Sequence, residues 1–170
     1  IPIGAGLAGG SSNAAGTLMG LNKLWNLKLD NNKLCSLSAM LGSDVPFFIN
    51  GGIQLCFGRG EILEQLKSNF EYGVLLLKNP NVSISTAETY KKYSNKFSNE
   101  YDERTINIKN IRNNLRFNGL NRLSIENQSI KIKNDLQLVV EKENDSVKQA
   151  LCLLSNVRNC ITFAMSGSGP

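Results

Sequence analysis

The sequence predicts an α+β fold. Short apolar runs (residues 53–57, 73–78 and 160–164) interleave with apolar positions at helical spacing. They do so without the sustained strand–helix–strand rhythm of a doubly wound sheet. The chain has 170 residues, 41% apolar and 19% charged, which is the composition of one globular domain or two small ones. A compact chain of this size buries roughly 70% of its unfolded surface, enough for a core.

The elements follow in order. Residues 1–12 form a glycine–serine loop. From about Asn13 to Trp25, Ala14, Leu18, Leu21 and Trp25 share one helical face, and Ser11, Ser12 and Asn13 are N-cap types at its start. A polar turn, 26–32, leads to a second short helix ending at Gly42, a suitable C-cap. Ile53 to Phe57 lies between Gly51-Gly52 and Gly58-Arg59-Gly60 and reads as a strand entering a tight turn. Residues 73–78 read as a buried strand closed by Asn79-Pro80. Thr86 to Tyr93 should be a helix opened by the Ser85/Thr86 pair, and the polar segment 94–104 a mobile loop. Ile108, Ile111 and Leu115 form one further helical stripe, and Val147, Leu151 and Leu154 another. Cys160 to Ala164 is a last short strand running into the terminal glycines.

Composition excludes several chemistries. There is no histidine, so Ser-His-Asp and Cys-His catalysis, an HExxH zinc site and His-ligated haem cannot be built from these residues. Cys35, Cys56, Cys152 and Cys160 form no CxxC, and their apolar neighbours predict buried, reduced thiols in a cytosol-like compartment. The net charge of +5 concentrates in residues 104–133, which carry seven basic side chains against Glu126. Such a face suits an anionic partner. However, only Phe117 offers a stacking aromatic and no nucleic-acid motif occurs, so a solvated helical surface without a nucleic-acid partner is expected. Apolar runs such as Val74 to Leu77 fall far short of the ~20 residues needed to span a bilayer, and no membrane partner is expected. Ile1-Pro2-Ile3 reads as a strand and Met165 to Pro170 as a turn, each wanting a continuation, so the expectation is an internal piece of a longer protein.

The richest stretch is Gly4-Ala5-Gly6-Leu7-Ala8-Gly9-Gly10-Ser11-Ser12. Glycines let backbone N–H groups turn toward a ligand, and a following helix adds its unpaired N–H donors and the positive end of its dipole. This combination predicts a phosphate-binding loop. A Walker A loop needs GxxxxGK[ST], and no lysine precedes Lys23. Gly4-x-Gly6-x-x-Gly9 matches a dinucleotide fingerprint with Asp30 downstream, but Pro2 interrupts the strand that should precede it, which leaves a dehydrogenase as the alternative from another class. Among the acids, Asp44 in Gly42-Ser43-Asp44-Val45-Pro46 stands out. It reads equally as an Asx-turn carboxylate before an extended Val-Pro segment or as a general base.

Pro2, Gly6-Leu7 and Gly9-Gly10-Ser11-Ser12-Asn13-Ala14-Ala15 resemble the second motif of the galactokinase, homoserine kinase, mevalonate kinase and phosphomevalonate kinase (GHMP) superfamily. The Gly-Gly-Ser-Ser-Asn form is similar to the subfamily acting on 4-diphosphocytidyl-2-C-methylerythritol. Leu21 to Trp25, Leu41 to Phe48, Gly58 to Glu61 and Asn134-Asp135-Leu136 agree with it, and Ser166-Gly167-Ser168-Gly169 resembles the start of the third motif.

The resemblance implies a two-domain α+β architecture. Residues 1–70 would be the latter part of an N-terminal ATP-binding domain, similar to domain 2 of ribosomal protein S5. Residues 71–170 would belong to a truncated, ferredoxin-like C-terminal domain. It further implies ATP-dependent phosphorylation of the 2-hydroxyl of that alcohol, in isoprenoid synthesis, in a bacterial cytoplasm or a plastid stroma. Another kinase of the superfamily, with a different alcohol, is the nearer alternative. A non-catalytic binding module is a third.

By the same resemblance Pro2, Ile3, Gly4, Ala5, Gly6, Leu7, Ala8, Gly9, Gly10, Ser11 and Ser12 would bind ATP. Asp44 would be the base, Ser12 a ligand of Mg2+, and Thr86 a residue near the substrate. Thr86 reads equally as a helix N-cap. The lysine that pairs with the aspartate in the family matches no lysine here and would lie upstream of Ile1. The chain alone is therefore expected to be inactive.

Overall fold

A computed structural model describes residues 5–66, 73–98, 110, 112, 113, 115 and 132–169. The described elements are three helices, a β-hairpin and three more helices: α1 (Gly9–Leu24), α2 (Asn31–Ala39), α3 (Val45–Asn50), β1 (Gln54–Phe57), β2 (Ile62–Gln65), α4 (Thr86–Phe97), α5 (Gln137–Glu143) and α6 (Asp145–Ser155). Positions 110, 112, 113 and 115 are also helical. The fold is α+β, as the sequence predicts, and it divides into two compact units: residues 8–68, and residues 1–7 with 69–170.

In the first unit α1 and α2 both pack on α3. Ala15, Leu34, Val45 and Ile49 form its buried core, with Ala14, Leu29, Cys35 and Phe48 against it. The residue buried most deeply on α1 is Ala15 rather than Ala14, and Trp25, expected on the core face, is 62% exposed. The Asn22 carboxamide ties the turn after α1: its Nδ2 donates to Leu29 O at 3.1 Å and its Oδ1 accepts from Leu29 N at 3.0 Å. Asp30 then caps α2 by accepting from Lys33 N at 2.8 Å.

Val45-Pro46 is not extended. It opens α3, with Pro46 in the first turn, where a missing N–H breaks no helical bond. Gly51, at φ 66°, ends α3. The hairpin pairs Gln54 with Gln65 and Phe57 with Ile62 in antiparallel register. Gly58 and Gly60 supply its turn at positive φ. The Glu61 carboxylate accepts from Arg59 N at 2.7 Å across that turn. Its own backbone N–H and then that of Arg59 hold its carboxyl below the usual range. β2 was not anticipated, because Ile62-Leu63-Glu64-Gln65 lacks the alternation of a half-buried strand.

In the second unit Tyr93, Leu136, Val139, Val140, Val147, Leu151 and Met165 form one core, with Ile84 and Phe97 packed on it. Each such buried side chain contributes roughly 1.5–3 kcal/mol of transfer free energy. α4 runs to Phe97, so residues 94–97 are helical rather than loop, and the Tyr93 and Phe97 rings stack with centroids 4.8 Å apart. The remainder of the expected loop, residues 99–104, lies outside the described residues. So do Ile108, Ile111 and most of the basic segment 104–133.

Two strand expectations are not met. Residues 73–78 and 160–164 pair in no sheet among the described residues. Val74 is 70% exposed and Leu75 65% exposed, rather than buried. The thiols differ too: Cys35 is half-buried, whereas Cys56, Cys152 and Cys160 are exposed. No helix among the described residues is long and apolar enough to cross a membrane.

Candidate functional site

Pro2, Ile3 and Gly4 lie outside the described residues. The rest of the glycine loop is seen in two parts. Ala8 to Ser12 belong to the first unit, where Ala8 is the N-cap of α1 in the left-handed conformation, φ 49° and ψ 38°. A left-handed non-glycine residue is a strained one, and such strain concentrates at ligand-binding turns. No side chain caps α1. Ser11, Ser12 and Asn13 are thus not N-caps, because the helix begins earlier, at Gly9. Among the described residues no side chain takes up its opening N–H groups, donors of the kind that can meet an anion. Gly10 offers clear access, since a Cβ built there would meet nothing within 4 Å. Ser12 Oγ donates to Gly9 O at 2.9 Å, so its hydrogen is used and its lone pairs are not.

Asp44 stands in the same unit, as N-cap residue of α3. Its side chain makes no capping hydrogen bond, which removes the Asx-turn role the sequence left open. The carboxylate is exposed, anchored by buried Val45 and Pro46 behind it. Val45 shares its cluster with Ala14 and Ala15, so the start of α3 and the first turns of α1 rest on one core. On its other side lies the hairpin turn: a Cβ at Gly60 would come within 3.6 Å of Asp44 Oδ1. Partial burial raises the Cys56 thiol above its ordinary range, and the Asp44 charge adds to that effect. Asp44 is therefore a carboxylate that caps nothing, at the start of a helix that packs on α1.

Ala5, Gly6 and Leu7 belong to the second unit, where Gly6, at φ 63°, meets the Ser166–Gly169 turn. Ser166 Oγ donates to Gly6 O at 2.8 Å. A Cβ at Gly6 would fall 2.2 Å from Ser166 O, and one at Gly167 would fall 2.9 Å from Gly6 O. Only glycines allow that approach. Thr86 is not the N-cap of α4: Ser85 is, accepting from Glu88 N. The Thr86 hydroxyl instead lies 2.7 Å from Ser168 Oγ. The Asp30 carboxylate, being the cap of α2, is committed to a structural bond and is poorly placed to read a ribose, which removes the acid of the dehydrogenase alternative.

Asn134, which stands out in the sequence only as part of the Asn134-Asp135-Leu136 resemblance and with no role attached, holds the same turn. The signal was present in two Ser-Gly pairs that need positive φ at Gly167 and Gly169, and in an asparagine two residues before a buried leucine. Among the described residues no three His, Cys, Asp or Glu side chains gather to hold a metal.

Residues 1–52 match the family described as GHMP kinases N terminal domain. Along its whole length the chain is 76% identical to a 4-diphosphocytidyl-2-C-methyl-D-erythritol kinase of Prochlorococcus marinus strain MIT 9301. It is 74% identical to the protein of that name in strain MIT 9312, and 48% identical to that in strain NATL1A, again over the whole chain. The chain spans about 55% of the length of the MIT 9301 and MIT 9312 relatives and 54% of the NATL1A one.

Proposed function

We propose, for a chain that belongs to the GHMP kinase superfamily, that the full-length protein transfers the γ-phosphoryl group of ATP to the 2-hydroxyl of 4-diphosphocytidyl-2-C-methyl-D-erythritol. This is a step of non-mevalonate isoprenoid synthesis. The observation that carries the reading is a helix that opens on glycines with no side-chain cap, in a chain 76% identical to a relative named for this kinase.

In this reading residues 2 to 12 line the phosphates, with N–H groups from the loop between Pro2, which has none, and Ser12, whose own N–H donates to Ala8 O, and the α1 dipole favours their charge. Asp44 accepts the proton of the 2-hydroxyl as its oxygen bonds to the γ-phosphorus, while the bond to the β,γ-bridging oxygen breaks and ADP leaves. Mg2+, arriving with ATP, would neutralise phosphate charge. The residues present fit an ion held mainly by phosphate oxygens: there is no carboxylate cage among those described, and Ser12 Oγ keeps lone pairs free. Thr86 would lie near the alcohol substrate. Residues 1–70 would be part of the N-terminal domain of the kinase fold, 71–170 part of its C-terminal domain, and the cytoplasm its location.

The test is nucleotide-dependent stability of the full-length protein. Mg-ATP or Mg-ADP at 100 times its Kd should stabilise the protein by about 2.7 kcal/mol, read as a rise of several degrees in Tm. NAD should leave the melt unchanged. A shift with NAD and none with ATP would replace the kinase reading by the dehydrogenase one.

A further inference from the structure

We infer that Asn134 is a positioning residue for the nucleotide: it sets the Ser166–Gly169 turn against which Gly6 of the glycine loop is seated. The inference rests on the phosphate-loop reading above and adds a residue to it.

The Asn134 carboxamide spends both of its N–H donors and one acceptance at its oxygen on backbone. Nδ2 donates to Met165 O at 2.8 Å and to Gly167 O at 2.6 Å, while Oδ1 accepts from Leu136 N at 3.0 Å. Leu136 is buried in the core of this unit, so the asparagine is fixed at its own end. The turn it holds pairs in no sheet among the described residues, and Met165 N donates instead to a second side chain, Gln137 Oε1, at 2.9 Å. Two side chains thus take the N–H and C=O of Met165, and one of them reaches across to Gly167. From the turn, Ser166 Oγ passes the constraint to Gly6 O at 2.8 Å, and Ser166 O stands where any Gly6 side chain would begin. Gly6 can move from this seat only if the turn moves. A displacement of about 1 Å in a group that positions a reacting phosphate is enough to cost about 10²-fold.

The decisive variant is Asn134→Asp. It keeps the shape and the acceptor for Leu136 N, removes both donations, and sets a carboxylate oxygen against two carbonyl oxygens. In the full-length protein, ADP affinity by calorimetry and KM for ATP should weaken by about tenfold or more, the loss of two modest hydrogen bonds. KM for the alcohol should stay within about twofold. Ser166→Ala breaks the chain one link later and should move the same two quantities by about threefold. The double variant should lose less than the product of the two, because both act through one connection.

Wild-type ADP binding with unaltered affinity in Asn134→Asp would overturn the positioning role, as would equal losses in both KM values together with a lowered Tm. Should Asn134→Asp fail to fold, Ser166→Ala decides by the same criterion. A wild-type protein that binds no ADP would remove the phosphate-loop reading itself, and this inference with it.

Discussion

Asp44→Asn in the full-length protein should abolish phosphoryl transfer while leaving ATP affinity within a few-fold of wild type. The amide preserves the shape of the carboxylate and loses the proton acceptor. Removal of a general base slows the chemical step by about 10²–10⁴-fold. The fold should tolerate the change, because the Asp44 side chain is exposed and caps nothing. What fixes the start of α3 is Val45 and Pro46, both buried. Single-turnover transfer from labelled ATP measures the chemical step directly, and calorimetry with ADP measures binding. Near wild-type turnover would remove Asp44 as the base. A collapse of ADP affinity would show instead that the carboxylate shapes the phosphate site.

Two glycines of the loop should fail in different ways. Gly10→Val should leave the nucleotide-free melt within about 0.5 kcal/mol of wild type, since a Cβ there meets nothing within 4 Å. It should nonetheless lose the stabilisation by Mg-ATP, because a branched side chain then stands where phosphate oxygens approach backbone N–H groups. Gly6→Ala should fail earlier. Its Cβ would overlap Ser166 O at 2.2 Å, and its φ of 63° is one that alanine adopts at a cost of about 1–3 kcal/mol. The expected result is a lowered Tm before any nucleotide is added. A Gly10→Val protein that still answers to ATP would dissociate the start of α1 from phosphate binding.

Much of this was legible in the residues because it is local. Caps and periodicity located α4 and α6, and Gly58 and Gly60 located the hairpin turn, because these signals act over three or four positions; α2 exists as expected but ends at Ala39 with Met40, not Gly42, as its C-cap. The glycine loop and Asp44 stand out as candidates for the same reason, as short patterns of residue type. Strand pairing is not local. Val74 to Leu77 reads as a strand by composition, but a strand exists only with a partner across a ladder, and apolar runs do not name partners. β2 shows the converse: a weakly patterned segment becomes a strand because the turn before it folds it back on β1.

Cys152 misled through its neighbours. Leu151 is buried and Leu153 is 63% exposed on the same helix, so apolar neighbours in sequence do not share a face. Asn134 is legible as part of a motif, but its role is not, because its partners, Met165 and Gly167, are some thirty residues away.

The most direct test of the account is the product. Full-length protein, Mg-ATP and 4-diphosphocytidyl-2-C-methyl-D-erythritol should give ADP and one phosphorylated alcohol in equal amounts, with NMR locating the new phosphate on the 2-hydroxyl oxygen. Galactose, homoserine and mevalonate should not be phosphorylated under the same conditions. Transfer to one of those alcohols instead, or ADP released with inorganic phosphate and no phosphorylated alcohol, would contradict it.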